Sequence, residues 1–191
     1  LVKEFLELAY PDRIFYFVNI ELFEGNGSGL GHSLLSCKKY LQEPFIFTSC
    51  DTLVKEPIPN PEYNWMGFSK VKDLSSYRTL QIKKKNVIKI YEKRKVKIKD
   101  ERAYIGLAGI KDYNNFWSAM NENNKNVTAQ GEAYGFKKIL SQKLIKSHEF
   151  SWFDTGKPET LAHTRKVYKK NKGPNILEKE NEAIWFVNKR V

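Results

Sequence analysis

The stretch "FIFTSCD", residues 45–51, decides how this chain is read. It begins directly after Pro44 and runs through Phe45, Ile46 and Phe47 to an acid, Asp51. An apolar run this short, bounded by a breaker, predicts a strand buried on both faces, as in a parallel sheet. An acid at the carboxyl end of such a strand lies where open α/β sheets bind their ligands. Upstream, "LVKEFLELAY" (1–10) places Leu1, Val2, Phe5, Leu6, Leu8 and Ala9 near one helical face, and Pro11-Asp12 stops it. "RIFYFVNI" (13–20) has the aromatic and β-branched weight of a strand, and "LGHSLLSCKKYL" (30–41) has helical spacing. The order helix, strand, helix, strand predicts an α/β fold: an open, mostly parallel, Rossmann-like sheet flanked by helices.

Downstream, "KEPIPNPEYN" (55–64) is too proline-rich for a helix or central strand. Residues 65–71, 77–82 and 86–92 are β-rich, and "KKKN" (83–86) reads as the turn of an antiparallel β-hairpin insertion. "AYIGLAGI" (103–110) predicts another strand. "DYNNFWSAMNEN" (112–123) predicts a helix opened by an Asp cap, with Phe116, Trp117 and Met120 inward. Residues 124–131 read as a polar loop, 133–146 as a helix, "HEFSWFD" (148–154) as a short strand and 157–170 as a helix with Pro158 near its first turn. "NKGPN" (171–175) reads as a linker.

A chain of 191 residues with 41% hydrophobic and 14% aromatic content can bury a real core. No apolar run approaches the ~20 residues of a membrane span. The N-terminus lacks the order of a signal peptide and begins without Met, which reads as the interior of a longer protein. Cys37 and Cys50 read as reduced thiols, consistent with a cytoplasmic location, and with three scattered histidines they make no zinc pattern. The net charge of +11 favours anionic partners. Ten of the basic residues fall in 83–102, against three acids. That segment reads as a solvated hairpin. The rival reading, a basic nucleic-acid-binding module, would want a helix-turn-helix, finger or RNP-like motif, and none accompanies it, so no nucleic-acid partner is expected.

Two further features stay open on the residues alone. "GNGSGLG" (25–31) does not match the dinucleotide fingerprint; it is either a flexible loop or one whose amides approach a base or phosphate closely. Asp51 and Asp154, the latter within "SWFDTGKPETL" (151–161), each read singly as turn or cap residues.

Taken together, four stretches resemble the sugar-phosphate nucleotidyltransferases, a family of GT-A-like fold. "EPFIFTSCDTLV" (43–54) resembles their strand-plus-Asp segment, although Cys50 stands where the family usually has Gly. "AYIGLAGIKDYNNFW" (103–117) is similar to their Gly-Ile-Tyr strand and following helix. "GEAYGFKKIL" (131–140) resembles their Glu-bearing helix entry, and "SWFDTGKPETLAHTRK" (151–166) their Trp-x-Asp-x-Gly-Thr-Pro stretch. The resemblance implies attack of an acceptor phosphate oxygen on the α-phosphorus of a nucleoside triphosphate, with loss of pyrophosphate. Such chemistry depends on positioning and charge neutralisation. It implies Asp51 and Asp154 as a Mg2+ pair, Gly27, Ser28, Gly29, Leu30 and Cys50 at the nucleotide, and Gly109, Glu132 and Lys93 at the acceptor. Lys93, in "YEKR" (91–94), also reads as a solvated hairpin lysine, and Glu132 as a helix N-terminal acid. Asp51, Asp154 and Lys93 are the catalytic candidates.

The family's first βα unit, with its Gly-rich loop, Arg and Lys, is expected before Leu1. The resemblance thus implies a nucleotidyltransferase domain over 1–170 without its phosphate-loop segment, inactive or nearly so alone. It implies that 171–191 is a linker and the start of a second, kinase-like domain. The expected partners are a nucleoside triphosphate, with CTP favoured, and a phosphorylated sugar or phosphocholine-like acceptor, for surface polysaccharide (capsule or lipopolysaccharide) biosynthesis. A homo-oligomer is compatible with this. Two rivals share the sheet: a nucleotide-binding pseudoenzyme, and a glycosyltransferase of related fold, which would want Asp-x-Asp where the chain has Asp51-Thr52-Leu53.

Overall fold

Ten residues, Glu101–Ile110, form the longest strand of the computed structural model, which describes residues 1–94, 100–122 and 124–168. The described residues divide into two compact units, Ile20–Gly156 and Leu1–Asn19 together with Lys157–Tyr168. The first unit contains α2 (Leu30–Cys37), β1 (Phe45–Thr48), β2 (Thr52–Val54), β3 (Trp65–Ser69), β4 (Thr79–Lys83), β5 (Asn86–Tyr91) and β6 (Glu101–Ile110). It continues through α3 (Tyr113–Glu122), α4 (Asn124–Gln130), α5 (Glu132–Leu140), β7 (Ile145–Glu149) and β8 (Trp152–Asp154). The second unit contains α1 (Val2–Ala9) and α6 (Pro158–Tyr168).

The main sheet has the order β1-β6-β3-β7-β5-β4, and β4 also pairs with β6, so five strands close on themselves while β1 projects from β6. β2 and β8 form a separate antiparallel pair. The expected open, mostly parallel sheet is corrected here. Among the described residues only β3 and β7 run parallel; the other pairings are antiparallel. The reason is visible in β1. Phe45 and Phe47 are buried while Ile46 and Thr48 are exposed, so this strand covers the core on one face only and needs no helix on the other.

β6 pairs with β3 along one edge. Its other edge is divided: Leu107–Ile110 pair with β1, and Glu101–Ala103 pair with β4. Between them Gly106 takes a φ of 70°, a conformation open to glycine, and the register with β3 shifts there. The larger core lies on one face of the sheet, where Phe45, Phe47 and Tyr104 meet Phe116, Trp117, Phe136 and Ile139 of the helices. Phe116 sits edge-on to both Trp117 and Phe136. Each such aromatic contributes about 1.5–3 kcal/mol by burial. A smaller cluster of Trp65, Ile105, Leu107 and Phe150 also takes Val54 of β2 and Trp152 of β8, which anchors the separate pair.

Most other elements form where the sequence places them, including the 83–86 turn, where Lys84 and Lys85 both have positive φ, as a two-residue hairpin turn requires. Three do not. No ladder among the described residues includes 13–20, and Ile14 and Tyr16 are largely exposed. Residues 124–130 are helical, not a loop; Val127 is fully buried and packs directly on Gly31, so packing overrides weak propensity. The helix expected over 133–146 ends at Leu140, and Ile145 enters β7 beside β3. The expected second-domain start at 171–191 lies outside the described residues.

Gly109, expected at the acceptor, is buried under the Trp65 indole: a Cβ there would lie 2.1 Å from Nε1. The structure therefore gives Gly109 a packing role. Gly109→Ala should lower stability by about 1–3 kcal/mol in urea unfolding, through overpacking; an unchanged midpoint would contradict this packing.

Candidate functional site

The divided edge of β6 creates a crevice. Where β1 leaves and β4 has not yet joined, three groups meet the backbone of β6. Ser49 N–H donates to Gly106 O at 2.7 Å, Thr52 Oγ1 to Ile105 O at 2.5 Å, and Tyr104 N–H to Arg78 O at 2.9 Å. Asp51 lies between Ser49 and Thr52, in the tight turn closed by Thr52 N–H to Ser49 O at 3.2 Å. A Cβ on Gly106 would come within 2.3 Å of Ser49 Oγ, so this turn requires both the φ and the bareness of that glycine.

Asp154 reaches the same place from β8. Its Cα is opposite Thr52 in the β2–β8 ladder. Beyond the ladder, Thr155 N–H and Oγ1 donate to Asp51 O at 2.9 and 3.1 Å. Asp154 Oδ1 accepts from Gly156 N–H at 2.8 Å, and Oδ2 from the Tyr77 hydroxyl at 3.2 Å. A Cβ on Gly156 would lie 2.9 Å from Asp51 Oδ2 and 3.2 Å from Asp154 Oδ1, so the two carboxylates converge over its bare backbone. Asp51 is exposed, and no hydrogen bond to its carboxylate occurs among the described residues. Cys50 beside it is exposed as a free thiol.

Two exposed or half-exposed carboxylates fit a hard cation. Mg2+ is usually held by one or two carboxylates plus substrate phosphates, not by a complete protein cage. The described residues contain no cluster of three or more His, Cys, Asp or Glu for a metal, so a cation here would draw its remaining ligands from substrate and water.

Glu132 opens α5 and is 2% exposed. Its Oε1 accepts from Arg78 Nη1 at 3.1 Å, and the Tyr104 hydroxyl is buried beside it without meeting hydrogen-bond geometry. Arg78 also donates from Nε to Glu92 at 3.1 Å and from Nη2 to Gln130 O at 2.8 Å. Lys137 donates to Glu92 and to the Gln130 side chain, each at 2.8 Å. Burial pushes the Glu132 carboxyl above its ordinary range against the opposing pull of Arg78. Burial also acts upward on Glu92, but Lys137 and Arg78 outweigh it and hold that carboxyl below its ordinary range. Lys93 is exposed, one residue beyond Glu92.

The Gly-rich loop lies against α4 and the α4–α5 turn. Gly27 and Gly29 have φ of 93° and 137°. The Ser28 hydroxyl donates to Gly25 O within the loop at 2.7 Å. The Leu30 side chain rests on Gly131, 3.3 Å from where a Cβ would stand. A cavity of about 350 Å³ is lined by Gly27, His32, Leu35 and Thr128. Contacts thus run from Leu30 to Gly131, to Glu132, to Arg78, and through adjacent Tyr77 to Asp154. Tyr77 and Arg78 join the candidates, yet the sequence carried no signal for them: "DLSSYRTL" (73–80) reads only as a strand entry. Gly106 lies within the strand "AYIGLAGI" (103–110) and carries no distinguishing mark in the sequence.

No protein-family model matches the sequence, and no curated protein matches it. Solved structures do. A Bacillus anthracis protein assigned as a glucose-1-phosphate thymidylyltransferase, in complex with a sucrose, aligns with TM-score 0.76 at 15% identity, covering 93% of this chain and 74% of its own. A UDP-glucose pyrophosphorylase complexed with UDP-glucose aligns with TM-score 0.59 at 16% identity, over 78% of this chain and 64% of its own. The inositol-1-phosphate CTP transferase from T. maritima aligns with TM-score 0.51 at 15% identity, over 74% and 60%. These neighbours are all sugar-phosphate nucleotidyltransferases, and at such identity the likeness is one of fold. The chain spans less than two thirds of the length of the latter two.

Arg78→Ala should leave Glu132 buried without its guanidinium and lower stability by about 3 kcal/mol at neutral pH. The folded-state carboxyl of Glu132 is already raised, so its cost builds as pH rises from the unfolded carboxyl range through the folded value. The deficit relative to the parent protein should therefore shrink on acidification, as Glu132 takes a proton. Urea unfolding at several pH values checks this; a deficit that does not change with pH would contradict it.

Proposed function

We infer that this chain is part of a nucleotidyltransferase that moves a nucleoside monophosphate from a nucleoside triphosphate to a phosphorylated acceptor. The observation that carries this is the convergence of Asp51 and Asp154 over Gly156, at the mouth of the β6 crevice. The fold likeness to thymidylyl-, uridylyl- and cytidylyl-type enzymes supports it. In the reaction an acceptor phosphate oxygen forms a bond to the α-phosphorus as the α–β bridging bond breaks, and pyrophosphate leaves with that electron pair. The attacking oxygen is already ionised near neutral pH, so no protein base is required.

Asp51 and Asp154 are the residues that would hold Mg2+. The cation would neutralise phosphate charge and polarise the α-phosphate. Asp154 is held by Gly156 and Tyr77, whereas Asp51 is exposed and open to a ligand. The 25–31 loop and the cavity beside it offer backbone amides and His32 to a base, with Leu30 as an apolar rest. Cys50 lies next to Asp51 and would line the nucleotide side. On the acceptor side, exposed Lys93 would approach the phosphate, and Arg78 would stand over Glu132. At Gly109 the Trp65 indole takes the space a side chain would need, so only its backbone could serve an acceptor.

At the finer level, cytidylyl transfer onto a small phosphorylated acceptor, in the cytoplasm and for surface polysaccharide assembly, is the reading we favour. The chain shows no sugar-specificity motif, and among the described residues no helix is long and apolar enough to cross a membrane.

The test is pyrophosphate release by the full-length protein from CTP, UTP, dTTP and ATP with Mg2+ and phosphorylated acceptors. Asp51→Asn and Asp154→Asn should each lower turnover about 1,000-fold, the scale of several kcal/mol of charge stabilisation. Undiminished turnover in either variant would overturn the assignment.

A further inference from the structure

We propose that Tyr77 is a positioning residue for the carboxylate pair, holding Asp154 in the rotamer that faces Asp51; this rests on the metal-binding reading above. Three observations place it there. The Tyr77 hydroxyl donates to Asp154 Oδ2 at 3.2 Å, while Gly156 N–H takes Oδ1 at 2.8 Å. Each carboxylate oxygen thus has one fixed donor, and the torsion of the group is set from both sides. The Tyr77 ring meets the Trp152 ring edge-on, with centroids 5.1 Å apart at 78°, and Trp152 precedes Asp154 by two residues on the same strand. Ring and hydroxyl therefore grip β8 at two points, and Trp152 is itself packed on the smaller core.

The turn that carries Tyr77 is held independently of β8. Tyr77 N–H donates to Leu74 O at 3.1 Å, and Ser75 donates from its backbone N–H and its hydroxyl to the Asp73 carboxylate at 3.0 and 2.9 Å. Arg78, next in the chain, is fixed by Glu132, Glu92 and Gln130 and accepts from Tyr104 N–H. The hydroxyl is thus delivered from a turn with its own anchors, so it can restrain Asp154 and not merely follow it. Partners in the outer shell of a cation commonly set the orientation of its carboxylates. The two oxygens retain lone pairs beyond these bonds, so a cation can still be accepted.

The experiment is Mn2+ binding to the full-length protein, measured by electron paramagnetic resonance with and without nucleoside triphosphate. Tyr77→Phe keeps the ring and its contact with Trp152 and removes the hydroxyl. Its Mn2+ dissociation constant should rise about 10-fold, in the range expected for loss of an outer-shell partner. Its thermal midpoint and metal-free nucleotide binding should match the parent protein. A purely structural tyrosine would shift the midpoint and leave metal affinity alone. Unchanged Mn2+ affinity in Tyr77→Phe, alongside lost binding in Asp51→Asn and Asp154→Asn, would overturn this proposal and leave the metal pair standing. Mn2+ binding that survives both Asp variants, or no binding by the parent protein, would overturn the pair itself and this proposal with it.

Discussion

The candidate site depends on one shared strand edge. β6 cannot leave its backbone groups unsatisfied, yet β1 and β4 diverge before either covers the whole edge. The gap is closed by single groups: Ser49 N–H, Thr52 Oγ1 and Arg78 O. Those three residues flank the candidate residues directly. Ser49 and Thr52 bracket Asp51, and Arg78 follows Tyr77. The need to satisfy β6 in its gap thus fixes where the candidate side chains leave the backbone. Gly106 makes the closure feasible, because only a residue without a Cβ can turn there against Ser49.

A second constraint is charge. Burying Glu132 beside the core would be strongly unfavourable without a partner, and Arg78 is that partner. Arg78 in turn engages Glu92, which engages Lys137. The alternating chain of two acids and two bases is electrically balanced. Glu132 is consequently engaged within the protein by Arg78. The Tyr77-Arg78 pair joins this charge chain to the carboxylate pair through one backbone segment.

Much of this was legible in the sequence where local pattern and tertiary packing agree. "KKKN" made its turn, Phe116, Trp117 and Met120 faced inward, and the resemblance matched a fold that solved structures share. The errors have physical causes. "FIFTSCD" read as buried on both faces, but a residue count cannot tell a two-sided apolar strand from one whose exposed positions are also apolar, as Ile46 is. The 124–130 helix is stabilised by Val127 against Gly31, a contact nearly a hundred residues apart in the chain. Gly109 and Gly106 are three residues apart in one strand, and only the positions of Trp65 and Ser49 separate a packing glycine from a turning one. Tyr77 acts through a hydrogen bond to a residue 77 positions away, which no local pattern encodes.

The most direct test is the anomalous-scattering position of Mn2+ in crystals of the full-length protein grown with a nucleoside triphosphate. One ion held by both Asp51 and Asp154 is expected, with its remaining ligands drawn from the triphosphate and water. An ion coordinated by neither carboxylate, or a triphosphate bound away from the β6 crevice, would contradict it.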